Sequence, residues 1–237
     1  DQQDYHSKNL DRIYGFSRLN LKDRQIRDIR HAYYANVSYI DEKIGSLLKV
    51  LKETGLAQNT WIFFTSDHGD MLGERGLFWK KHFFEDASRV PLAIFDPNQQ
   101  KSRRVKENTS LVDLYPTILE ISGMDPAEEL EAPIDGHSLV GLIRGEELDW
   151  SDTVYCENFD GGTPAPMFMV RKGAFKYISC QGHSGLLYDL KTDPMEFDNL
   201  SGRDEFRDVE TELSDLVDDR WNQKELQSVI IESQQER

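Results

Sequence analysis

The stretch Thr60-Trp61-Ile62-Phe63-Phe64-Thr65-Ser66-Asp67-His68-Gly69-Asp70 is apolar, aromatic and β-branched as far as Thr65, then abruptly polar. An apolar run without alternation predicts a strand buried on both faces, as in a parallel sheet covered by helices. Asp67 and His68 then fall at the carboxyl end of that strand, where open α/β sheets bind ligands. Gly69 reads as the residue that lets the backbone turn sharply there. Val90-Pro-Leu-Ala-Ile-Phe95 reads as a second buried strand. Upstream, Val37, Ile40, Ile44, Leu47 and Leu51 recur at three- and four-residue steps, predicting a helix over residues 31–54 with Gly55 at its C-terminal cap. Downstream, a helix is expected from Leu111 to Ser122, closed by Gly123, with Pro116 tolerated in its first turn. Residues 1–30 are polar and read as a surface linker. Helix, buried strand, polar loop, buried strand and helix make an α/β layer pattern.

The pattern changes after Trp150. Met167–Arg171 and Ala174–Ile178 flank Lys172-Gly173 and predict a β-hairpin. Leu186–Leu190 would add a third antiparallel strand. Phe206, Val209, Leu213 and Leu216 share one face of a helix from about Glu205. The expected organisation is an α/β portion over residues 1–150 and a small α+β subdomain with an antiparallel sheet over 151–237.

Composition narrows the function classes. Of 237 residues, 38% are hydrophobic and 30% charged, and the net charge is -15. That balance allows a packed core and argues against nucleic acid, whose phosphates call for clustered Lys and Arg. No apolar run approaches the roughly 18 residues of a membrane span. Cys156 and Cys180 lie in no metal-binding spacing and read as packed thiols, with one disulfide between them left open. The chain starts at Asp1 rather than Met and carries no visible leader, so it reads as a fragment whose start lies upstream.

Two segments carry chemistry. A carboxylate and an imidazole at Asp67 and His68 can converge on one cation, with Asp suiting calcium or magnesium and His widening the range to manganese or zinc. Taken alone, the pair reads first as an Asx-type turn with a hydrogen-bonded histidine, and only second as a metal site. Twelve residues on, Lys80-Lys81-His82 sits among Phe78, Trp79, Phe83 and Phe84. A lysine held there could bind a sulfate or phosphate oxygen and offset charge on a leaving group. The bland alternative is a solvated basic loop over an aromatic cluster. Adjacent residues of an extended segment point opposite ways, so only one of Lys80 and Lys81 is expected to reach one anion. His31, His137 and His183 read as structural, and His6 has no assignable role.

The segment Phe63–Lys80, continued by Phe84-Glu85 and Arg89-Val-Pro91, resembles the second half of a sulfatase active site. Asp135-Gly-His-Ser-Leu139 with Leu142–Gly145, and Leu187-Tyr-Asp-Leu190 with Asp193-Pro194, Glu196 and Asn199-Leu200, resemble further signatures of that family. Within it, His31–Tyr34, Ser38–Asp41, His68, Met71–Gly76 and the stretch from Arg220-Trp221 to Ser233-Gln234 are similar to the choline-sulfatase subgroup. The resemblance implies an alkaline-phosphatase-like fold of which this chain is the C-terminal part. It implies a sulfuric ester hydrolase acting on a small-molecule sulfate ester, choline sulfate first. A phosphonate monoester or phosphodiester hydrolase and a non-catalytic binding module stand as alternatives.

The resemblance further implies Asp67 and His68 as ligands of a divalent metal, calcium first, with magnesium or manganese possible. It makes Lys80 the catalytic contact to the sulfate, with Glu85 and Arg89 as scaffolding of its loop. The family nucleophile is a formylglycine formed within Cys/Ser-x-Pro-x-Arg. Neither Cys156-Glu-Asn nor Cys180-Gln-Gly fits it, and no other segment does. The expected partner is therefore the missing N-terminal half of the same enzyme, and this chain alone is expected to be inactive. A homo-oligomer is possible, and the subgroup points to the cytoplasm.

Overall fold

The computed structural model describes residues 4–99, 101–124, 133–159 and 165–235. The chain divides into two compact units. One comprises the residues up to His82 with Asp86–Ser102, and the other Phe83–Glu85 with everything from Arg103 onward. Among the described residues no helix is long and apolar enough to cross a membrane.

The first unit opens with helix α1, Tyr5–Tyr14. The Asp4 carboxylate caps it by accepting from the Ser7 amide at 3.0 Å, and Gly15, at φ 71°, ends it. The linker expected over residues 1–30 is thus a helix with an inward face. That face is His6, Ser7, Asn9 and Leu10, all buried, so a hydropathy pattern gave no sign of it. Helix α2, Asp23–Glu53, begins eight residues before the expected 31, its first turns being charged. Its apolar stripe finds no cover among the described residues: no α2 residue is buried, and Tyr34 and Leu47 are 62% and 65% exposed.

Strand β1, Ile62–Thr65, pairs with a strand at Leu92–Phe95, which completes the unit. The pairing is antiparallel, Ile62 opposite Phe95 and Thr65 opposite Leu92, and among the described residues it contains these two strands. This corrects the expected parallel, doubly covered pair. Parallel neighbours need a crossover, usually a helix. Here the intervening residues form a hairpin and one helical turn, so the chain returns antiparallel. The strands are half exposed, with Phe64 43% and Phe95 48% accessible.

The hairpin is β2, Met71–Leu72, against β3, Phe78–Trp79, with Met71 opposite Trp79. Arg30 of α2 clamps it, donating to the Leu72 carbonyl at 3.0 Å and pairing with Glu74 at 2.7 Å. The one-turn helix α3, Glu85–Ser88, follows, and Leu92–Phe95 is β4.

In the second unit, helix α4 is Leu114–Ile121 and α5 is Val140–Arg144. Asp113 and Thr117 hold the Asp135–Leu139 loop. The Asp113 carboxylate accepts the His137 amide at 2.9 Å, and the Thr117 hydroxyl accepts the Leu139 amide at 2.8 Å. The sheet is β5 Thr153–Asn158, β6 Met167–Lys172, β7 Phe175–Cys180 and β8 Leu186–Asp189, antiparallel in that order. The β6–β7 hairpin and β8 fall where the alternation put them, and β5 is an additional edge strand. Phe168, Val170, Tyr177 and Leu187 pack with Leu213 and Val217 of helix α6, Arg207–Arg220. Helix α7, Gln223–Gln235, ends the described chain. Cys156 and Cys180 are free thiols. They sit on β5 and β7, two strand spacings apart laterally and offset by two residues along the sheet, so more than about 9.5 Å apart and beyond disulfide reach.

Candidate active site

Asp67, His68 and Lys80 lie in the first unit, and the hairpin register brings them together. With Met71 opposite Trp79, Lys80 emerges beside the residues that precede Met71. Its Nζ lies 2.6 Å from His68 Nε2. His68 Nδ1 lies 2.7 Å from the Gly69 carbonyl. A carbonyl only accepts, so Nδ1 carries the proton and Nε2 presents its lone pair to the Lys80 ammonium. Asp67 Oδ2 lies 3.3 Å from the same Nε2.

The Asp67 side chain is 82% exposed. Desolvation pushes its carboxyl upward, but the amide hydrogen bond from His68, the adjacent imidazole and the Lys80 ammonium outweigh it, leaving Asp67 below its ordinary value. Gly69 is needed for close approach rather than for a left-handed turn: its amide donates to the Ala87 carbonyl at 2.8 Å, and a Cβ would strike the Asp86 carbonyl oxygen.

Lys81 points elsewhere, with Nζ 5.8 Å from the centre of the Tyr14 ring. Strand alternation is not the reason. Trp79 and Lys81 have φ of 70° and 88°, so both residues flanking Lys80 are in the left-handed region. Such non-glycine conformations cost about 1–3 kcal/mol each and persist only where surroundings hold them. One hold is His6, whose Nε2 donates to the Lys81 carbonyl at 2.7 Å. His82 is buried edge-on to His6, ring centres 4.8 Å apart. Burial, with the His6 charge adding to it, pushes His82 down to about 3, and burial also lowers His6.

Reading the sequence missed His6, because it sits in a segment without apolar periodicity. It also missed a buried network in the second unit, where Lys176 of β7 bridges Glu85 at 2.6 Å and Glu196 at 2.9 Å. The available signal was a lysine inside the apolar strand Phe175-Lys-Tyr-Ile178. His31 and His183 are exposed. His137 packs its ring on Trp150, centres 6.0 Å apart.

Asp67 and, once the Lys80 ammonium gives up the Nε2 lone pair, His68 can supply two donors to one cation. Donors 3.3 Å apart suit one ion with ligand distances of about 2.3–2.6 Å. Among the described residues no group of three or more His, Cys, Asp or Glu could complete a metal site.

A family profile described as Sulfatase matches residues 2–124, and one described as N-sulphoglucosamine sulphohydrolase, C-terminal, matches 73–223. The chain belongs to the sulfatase family. It is 35% identical over 240 residues to the choline-sulfatase of Rhizobium meliloti (strain 1021), covering 100% of this chain and 46% of that protein. It is 32% identical over 209 residues to arylsulfatase K of Xenopus laevis, covering 83% of this chain and 38% of that one. The chain therefore spans less than half the length of the curated sulfatases it matches.

Among solved structures, the phosphonate monoester hydrolase of Agrobacterium radiobacter superposes with a TM-score of 0.73 at 30% identity, covering 83% of this chain and 42% of that one. A protein solved with its substrate D-glucosamine-2-N,6-O-disulfate gives 0.72 at 29%, covering 90% and 45%. The fold is the mixed α/β, alkaline-phosphatase-like architecture of these enzymes in its C-terminal portion, with a four-stranded antiparallel sheet.

Proposed function

We propose that this chain is the leaving-group side of a sulfuric ester hydrolase and that choline sulfate is its substrate. The observation carrying the reading is the 2.6 Å approach of Lys80 to His68 within a sulfatase-family chain. The full-length enzyme would contain a longer polypeptide bearing the nucleophile, a formylglycine by family resemblance, since no Cys/Ser-x-Pro-x-Arg segment is present here. Asp67 and His68 would hold a divalent cation, calcium first, with further ligands from that longer polypeptide. When bound, the cation neutralises charge on the sulfate oxygens. Lys80 would donate to the ester oxygen as the sulfur–oxygen bond breaks, offsetting the charge that develops there.

The assignment of residues 1–150 to the catalytic domain and of 151–237 to a C-terminal subdomain belongs to the same proposal. So does the uncovered stripe of α2, which would pack against the remaining catalytic domain. A soluble homo-oligomer fits this reading.

Phosphonate monoester hydrolysis is the second reading, favoured by the 0.73 TM-score to an enzyme of that name. The two separate in one assay of the full-length enzyme, comparing kcat/KM for choline sulfate and a phenyl phosphonate monoester. The sulfatase reading expects choline sulfate to be favoured by at least about tenfold, roughly 1.4 kcal/mol of differential transition-state binding. A preference for the phosphonate would replace it.

A further inference from the structure

We infer that His6, on the inner face of α1, is a positioning residue for Lys80, fixing the main chain that aims the ammonium without touching substrate. This inference rests on the sulfatase reading of Lys80. Every residue it uses lies in the first unit.

The reasoning starts from the face that α1 buries. A helix on a core ordinarily turns an apolar stripe inward. The buried residues of α1 are instead His6, Ser7, Asn9 and Leu10. Ser7 is accounted for by the cap, since both its amide and its hydroxyl donate to the Asp4 carboxylate. His6 serves no cap. It is 2% exposed, and burying an imidazole carries a desolvation cost that a leucine would not. What the imidazole supplies in return is one directed hydrogen bond, from Nε2 to the Lys81 carbonyl 75 positions away, at 2.7 Å. A carbonyl only accepts, so Nε2 carries the proton. Burial keeps the ring neutral, against the upward pull of that carbonyl and of Asp4.

The far end of α1 holds the same segment. Asp11 ties down the turn after the helix, accepting from the Ser17 amide at 2.6 Å and the Ser17 hydroxyl at 2.7 Å. That turn buries Phe16. The Trp79 ring stands edge-on to both Tyr14 and Phe16, with centres 5.5 Å apart in each case. Phe16 also meets Phe78 at 5.8 Å, and the Tyr14 ring lies under the Lys81 amine. The His82 ring packs edge-on to His6. Phe78, Trp79, Lys81 and His82 are therefore all gripped by α1 or its following turn. The Lys80 side chain, between them, runs to His68 instead.

Trp79 and Lys81, the residues on either side of Lys80, are both left-handed. Strained backbone of this kind relaxes unless its surroundings hold it. The β2–β3 register fixes the chain as far as Trp79. Beyond Lys80, ring contacts tolerate sliding, whereas the hydrogen bond to the Lys81 carbonyl is directional. Without it, Lys81 can leave the left-handed region. That rotation turns the peptide joining Lys81 to Lys80 and moves the ammonium off line. Misplacement of a catalytic group by about 1 Å is enough to slow a reaction severely.

The test uses the full-length enzyme with His6→Met, which fills the site but cannot donate, and His6→Gln, whose amide can. Tyr14→Leu, Lys80→Ala and the double variant Lys80→Ala/His6→Met complete the set. Turnover is measured on choline sulfate and on aryl sulfates graded from good to poor leaving groups. Positioning predicts a kcat loss of about 10- to 30-fold for His6→Met on the poorest leaving group and under about threefold on the best, with KM little changed. His6→Gln should recover most of that loss, and Tyr14→Leu should share the leaving-group dependence. The double variant should be no slower than Lys80→Ala alone, because both changes remove one interaction. Equal losses across the series, multiplicative losses in the double variant, His6→Gln as slow as His6→Met, or wild-type rates in a folded His6→Met enzyme would overturn the inference. If His6→Met alone fails to fold, Tyr14→Leu decides by the same outcomes. Loss of the fold in both would also overturn it, since α1 would then hold the whole unit. A Lys80→Ala enzyme without leaving-group dependence would sink the sulfatase reading of Lys80 and this inference with it. A dependence in Lys80→Ala that His6→Met does not share overturns the inference alone.

Discussion

Lys80 Nζ sits 2.6 Å from His68 Nε2, on the lone pair that the Gly69 carbonyl leaves free by accepting from Nδ1. The Lys80 ammonium thus engages the imidazole nitrogen that also lies 3.3 Å from the Asp67 carboxylate. The site is built to gather positive charge beside an exposed carboxylate.

The first prediction follows from that convergence. In the full-length enzyme, Asp67→Ala and His68→Ala should each lower divalent-metal affinity by at least about tenfold. Loss even of outer-shell partners costs that much. Metal content by mass spectrometry after dialysis, read beside turnover, checks this. Full occupancy with normal turnover in Asp67→Ala would remove the residue from the metal site.

The second prediction concerns acid. His6 and His82 are held neutral mainly by burial, against an upward pull from Asp4; the Lys81 carbonyl also raises His6, while Arg75 presses His82 lower. Their folded values lie below 6.5, His82 at about 3. The unfolded chain then binds more protons at mildly acid pH, so stability is full above about pH 6.5 and falls as pH drops toward 3. The slope should approach about 1.4 kcal/mol per pH unit from His82, with His6 adding to it in the same direction. Thermal melts of wild type and His82→Gln between pH 7 and 4 measure it. A wild-type Tm flat over that window, or an unchanged slope in the variant, would contradict this account of the pair.

Legibility from sequence tracked the kind of signal available. The β6–β7 hairpin was readable because apolar strands flank Lys172-Gly173, and the α6 face because Phe206, Val209, Leu213 and Leu216 share one side. The sheet direction was not readable. Residues Ile62–Thr65 are as apolar as a doubly covered strand, but strand composition does not encode the direction of its neighbour, and Phe64 is 43% exposed in this chain. Helix α1 escaped notice because its inward residues, His6, Ser7 and Asn9, are polar. The segment holding Asp67, His68 and Lys80 stood out by residue type, while the convergence of the three depends on the Met71–Trp79 register and on left-handed backbone at Trp79 and Lys81. Lys176 was passed over because a strand lysine ordinarily faces water.

The most direct measurement of the central claim is kcat for choline sulfate in the full-length enzyme with Lys80→Ala and, separately, Lys81→Ala. A preorganised group that stabilises charge in the transition state is worth about two to three orders of magnitude in kcat. The account predicts that loss for Lys80→Ala and a change within about threefold for Lys81→Ala, whose amine lies over the Tyr14 ring. A Lys80→Ala enzyme that turns over at the wild-type rate, or a larger loss in Lys81→Ala, would contradict it.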